Sequence, residues 1–174
     1  TYDGELIPLS IGNYWVYESE IYIDNKKISM GMDTMSVFGD SLINGERWYV
    51  IGSDSPTSLT MIWKNDTNGH YWFLMNDSTG NYDNFLFYKF PANEGETWHV
   101  NSTQIMLISN SHKVSAKAGN FICFHYRTKL FNTYSDIFII PQYGIIEEIV
   151  YENEVVDSNI ISRLSLSSFS ITKN

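Results

Sequence analysis

Apolar and polar residues alternate one for one along almost the whole of this chain, and a period of two belongs to a strand with one face against a core. "YWVYESEIYI", Tyr14 to Ile23, puts Trp15, Tyr17, Ile21 and Ile23 on one face and Glu18 and Glu20 on the other. The polar "DNKK" turns it into "ISMGMDTMSVF", a first hairpin. "ERWYVIGS", "LTMIWKN" and "HYWFLM" follow as short strands set apart by "NG", "DSPTS" and "DTNG". "NFLFYKF", "TWHVNSTQIMLIS", "NFICFHYRTKL", "DIFIIP", "YGIIEEIVYE" and "VVDSNIISRLSLSSF" continue in the same style. The expected fold is all-β, with about ten to twelve antiparallel strands in a curved half-barrel or a sandwich. No linker or composition shift interrupts the 174 residues, so one domain spanning 1–174 is expected.

Composition narrows the function classes. With 12 Tyr and 10 Phe and 43% hydrophobic residues, the chain can bury a sizeable core without disulfides, and its one cysteine, Cys123, can form none internally. A net charge of −9 with 11 Lys and Arg argues against nucleic acid, whose affinity comes from neutralised phosphates. No apolar run reaches the length of a membrane-spanning helix. The abrupt Thr1 reads as a processed or engineered start, and the sequons at Asn65, Asn76 and Asn101 are expected by chance in so Asn- and Ser-rich a sequence.

One pattern occurs twice. "PLSIGNYW", Pro8 to Trp15, and "PANEGETW", Pro91 to Trp98, both spell Pro-x-x-x-Gly-x-x-Trp. Pro fixes φ ahead of a strand, Gly allows a turn closed to other residues, and Trp anchors the core. Gly45 and Gly119, then Gly69 and Gly144, keep step behind them. The expectation is two similar halves, 1–85 and 86–174, in which Pro8, Gly12, Trp15, Gly45 and Gly69 match Pro91, Gly95, Trp98, Gly119 and Gly144, with both Trp15 and Trp98 buried.

Motifs for chemistry are weak throughout. His70, His99, His112 and His125 lack the close pairing of a zinc site, and Cys123 with His125 reads as a core pair. Met30 and Met32 fall on one strand face and Met35 on the other, a poor arrangement for Cu(I). Glu18 with Glu20, and Glu152 with Glu154, read as solvated strand faces and not as an acid–base pair in a cleft. "NDTNGH" and "NDSTGNYD" lack the bidentate Glu of a calcium loop, and no nucleophile elbow or phosphate loop is present. The expectation is no enzyme, no cofactor and no metal.

"LIPLSIGNYWVYE", "KAGNFICF" and "PQYGIIEE" occur in an order that resembles a diffuse group of bacterial secreted proteins and lipoproteins opening on Pro-x-x-x-Gly-Asn-x-Trp. The resemblance implies a curved antiparallel sheet, of the kind compared with carriers of lipoproteins or lipids. It also implies an extracytoplasmic place in the cell envelope, periplasmic or secreted. The lipid-attachment cysteine of that group is missing from this chain, so a membrane tether would be an N-terminal lipid absent from it. The function expected is non-enzymatic binding of a small apolar or amphipathic ligand, or of another envelope component. A carbohydrate-binding module and a structural or assembly role are the alternatives. For a lipid or glycan partner the candidate binding residues are Trp48, Trp63 and Trp72, which lie on short strands among polar neighbours, whereas Trp15 and Trp98 are core anchors.

Overall fold

The computed structural model describes residues 5–53, 60–153 and 159–172; Thr1, the "DSPTS" turn, Glu154 and Asp157 lie outside them. Twelve strands follow one another: Tyr14–Ile23 (β1), Lys26–Ile43 (β2), Glu46–Ser53 (β3), Met61–Asp66 (β4), Gly69–Met75 (β5) and Tyr82–Lys89 (β6) form a first run. Thr97–Val100 (β7), Thr103–Ala116 (β8), Gly119–Leu130 (β9), Thr133–Ile140 (β10), Gly144–Glu152 (β11) and Ile160–Ser170 (β12) form a second. No helix occurs among the described residues. Tight turns do the reversing: Asn44 and Gly45, at φ 52° and 82°, make the mirror-image turn that suits the twist of a two-residue hairpin.

All twelve strands join one antiparallel sheet in the order β6-β5-β4-β3-β2-β1-β12-β11-β10-β9-β8-β7. Each run is a meander, and the first strand pairs with the last, so the two meanders meet at β1 and β12. The free edges β6 and β7 approach each other, which curls the sheet into a nearly closed barrel and excludes the sandwich. Side chains bridge that seam. Trp98 Nε1 donates to the Phe87 carbonyl, Lys89 pairs with Glu96, and the Tyr126 hydroxyl donates to the Lys89 carbonyl.

The two Pro-x-x-x-Gly-x-x-Trp segments are built alike at the backbone. Gly12 N donates to Val37 O and Val37 N to Asn13 O; Gly95 N donates to Leu107 O and Leu107 N to Glu96 O. Both glycines hold positive φ, 90° and 82°, a conformation that side chains resist. Val37 lies in β2 and Leu107 in β8, second strands of their runs. Gly69 and Gly144 likewise begin the fifth strand of each. The tryptophans differ: Trp15 is fully buried, while Trp98 is half-buried, contrary to the expectation of two buried anchors. The reason lies in the strands they occupy. Trp15 stands on a central strand covered on both edges, and Trp98 stands on the four-residue edge strand.

The segment ahead of β1 closes one end of the barrel. Leu6, Ile7 and Leu9 are each 1% exposed and join the core of Trp15, Tyr17, Ile51 and Tyr126. Their backbone is held from both runs: Asn65 Nδ2 donates to Ile7 O, and Gln142 N donates to Glu5 O. Asn13, fully buried, ties the plug to itself through Pro8 O and accepts from Thr172 N just past β12.

Candidate functional site

Alternation along each strand sends one set of side chains inward, and on the first run that set walls a cavity of about 320 Å³. Asp33 and Met35 on β2, and Met61 and Trp63 on β4, are pairs two residues apart on one face. Tyr17 of β1, Trp72 of β5 and Tyr88 of β6 complete the aromatic wall. On the far side stand Ile145 and Glu148 of β11 and Leu164 of β12. Ile145 and Glu148 share the cavity at an odd spacing because the register between β10 and β11 shifts between Phe138 and Ile139, leaving Ile146 as the extra residue.

The aromatic wall is a stack. Trp63 and Trp72 are cross-strand partners with ring centroids 5.4 Å apart, and Trp72 lies 4.0 Å from Phe87. Neither indole N–H finds an acceptor among the described residues. Glu148 makes no hydrogen bond or ion pair with the described residues, and burial pushes its carboxyl above the usual range. Burial, and secondarily the charge of Glu148, raises the phenols of Tyr17 and Tyr88. Tyr17 donates its hydroxyl to Ile145 O at 3.0 Å, fixing the ring against β11. His70, behind Trp63 with centroids 5.0 Å apart, is held neutral by burial, which takes it down to about 3.

Of the three tryptophans expected to bind, the structure brings Trp63 and Trp72 together on the cavity and leaves Trp48 apart. Trp48 and Trp63 are each only 1% exposed, so two of the three candidate rings are not at the surface. Trp48 faces away from the cavity, where the Lys64 ammonium stands 4.9 Å over its ring and Phe73 packs edge-on. The cause is cross-strand pairing, which covers an aromatic side chain whatever its sequence neighbours. Trp72 is half-buried. Sequence reasoning missed Tyr17, Tyr88 and Glu148 as lining residues. For Glu148 a signal was present: Glu147 and Glu148 are adjacent on a strand, so one of them has to face inward.

The buried carboxylates outside the cavity are occupied. Asp136, buried against β9 and β11, accepts from His125 Nε2 (2.8 Å), Arg127 Nε (2.8 Å) and Nη2 (3.0 Å), and the Tyr151 hydroxyl (3.1 Å). Burial would raise its carboxyl, but the bonds from His125 and Arg127 outweigh that and hold it at about 2. Glu147 pairs with Arg163, Glu18 with Lys117, and Glu20 with Lys27 and Tyr22. Cys123 is fully buried, with its thiol pushed up to about 12 by burial and by Glu147. The fold brings His112 within 5.1 Å of His125, ring to ring, a neighbourhood no sequence spacing displays. Among the described residues no group of three His, Cys, Asp or Glu side chains is placed to hold a metal ion.

No protein-family model matches this chain, and no curated protein does. Its fold is similar to two solved structures. One, from Bacteroides fragilis, is described as a "putative exported protein with YmcC-like fold"; the match has a TM-score of 0.58 at 14% identity, covering 96% of this chain and 99% of the other. The second, a "putative lipoprotein" from Parabacteroides distasonis, matches with a TM-score of 0.55 at 12% identity over the same shares. At these identities the likeness is one of fold.

Proposed function

We propose that this protein is a non-enzymatic component of the bacterial cell envelope, working outside the cytoplasm, whose barrel takes up a small apolar or amphipathic molecule. The observation that carries the reading is the aromatic-walled cavity inside a sheet plugged at one end. Its volume of about 320 Å³ falls at the small end of ligand pockets. Tyr17, Trp63, Trp72 and Tyr88 give such a molecule large apolar faces with polar edges. The extracytoplasmic placement draws support from the words "exported" and "lipoprotein" attached to the two proteins of similar fold.

Native mass spectrometry of protein purified without denaturation tests the binding. A discrete added mass that is released on unfolding is the expected result. A bare chain from several expression hosts, together with no shift of tryptophan fluorescence on titration with lipid extracts, would count against it.

A further inference from the structure

The cavity wall is electrostatically one-sided. Glu148 and Asp33 both line it, and no Lys, Arg or His among the described residues does. Elsewhere in this barrel buried carboxylates have cationic partners: Asp136 has Arg127 and Glu147 has Arg163. Glu148 has none among the described residues, although desolvation penalises its charge. Around it stand the rings of Tyr17, Trp63, Trp72 and Tyr88. Trp63, 1% exposed, also lacks an acceptor for its indole N–H, so a second wall group is unsatisfied.

Aromatic faces attract cations through their quadrupole, and a carboxylate among them supplies the counter-charge. We infer that the cavity binds a small organic cation, an amine or quaternary ammonium group on an apolar body, with Glu148 as its counter-ion and the four rings as its cage. This rests on the ligand-binding reading above and names the ligand's chemical class. A purely apolar molecule would leave Glu148 as it stands, half-buried on the wall with no partner among the described residues, while a cation would satisfy it and be desolvated against the rings.

The test uses two probes of one shape: benzyltrimethylammonium and neopentylbenzene, its uncharged isostere, titrated into the intact protein with tryptophan fluorescence as readout. The cation should bind at least roughly tenfold more tightly than the isostere. Glu148→Gln should lower that preference severalfold, and Glu148→Gln combined with Asp33→Asn should erase it. Because burial disfavours the charged carboxyl, Glu148→Gln should fold at least as stably as wild type, which circular dichroism checks. Leu164→Phe, which narrows the cavity and keeps the carboxyl, should weaken both probes. Equal affinities for the two probes, or a preference that survives the double substitution, would overturn the cation assignment and leave an apolar-ligand pocket standing. If neither probe binds, the pocket reading falls with it.

Discussion

Asp136 shows how a single buried carboxylate can stabilise this barrel and set its acid limit. With its carboxyl at about 2 in the folded chain against an ordinary 3.8, it binds fewer protons folded than unfolded through that interval. Its contribution is therefore complete above the ordinary value and lost as pH falls through about 2. Asp136→Asn removes the charge and leaves the half-buried Arg127 beside a neutral amide. The expected cost at pH 7 is about 3–5 kcal/mol, typical of breaking a buried pair. Urea midpoints should show the gap between variant and wild type closing as pH is lowered below 4. A gap unchanged by pH would mean that the carboxylate charge is not what stabilises.

At the scale of elements, the strands are separated by turns whose geometry admits few residues, and the β4–β5 turn is the strictest. Gly69 has φ 141°, and a Cβ built there would stand 2.1 Å from the Tyr88 carbonyl oxygen and 2.8 Å from Phe90 N. Both contacts are to backbone of β6 and its exit, so no side chain can swing aside. Gly69→Ala should force β5 and β6 apart at the end that carries His70 and Tyr88, at a cost of about 3 kcal/mol or more. Thermal melts check this, and the damage should reach the cavity, because Tyr88 lines it. A variant that melts with wild type would show that the close approach is relaxed in solution.

For the molecule as a whole, the weak line is the seam between β6 and β7. Everywhere else neighbouring strands share a ladder of backbone bonds, whereas these two edges are joined through side chains of Trp98, Lys89 and Glu96. Hydrogen exchange should therefore be fastest in the seam-facing amides of β6 and β7 and slowest where β1 meets β12, a central pairing. Trp98→Phe keeps an aromatic ring, though a smaller one, and removes the donor to Phe87 O, and should widen that difference at a cost of about 1 kcal/mol in global stability. Uniform protection around the barrel would show that the seam is as tightly closed as the ladders.

What was legible in the sequence and what was not divide along the range of the interactions involved. The period of two, the turn chemistry of Asn44 and Gly45, and the absence of any 3.6-residue pattern determined an all-β chain of about a dozen antiparallel strands, since each depends on residues a few positions apart. The opposed faces of Met30 and Met35 were readable for the same reason, and Met35 does line the cavity while Met30 is exposed. Barrel closure was not readable, because it depends on Trp15 opposite Phe169 and on two edges that meet only when the whole sheet has curled. Nor was the site: the face of β4 that turns inward separates Trp63 from Trp48, and a one-residue shift against β10 brings Ile145 and Glu148 to the same wall. Register and closure are set by contacts between residues far apart in the chain, and a local pattern carries no record of which distant strand will lie beside it.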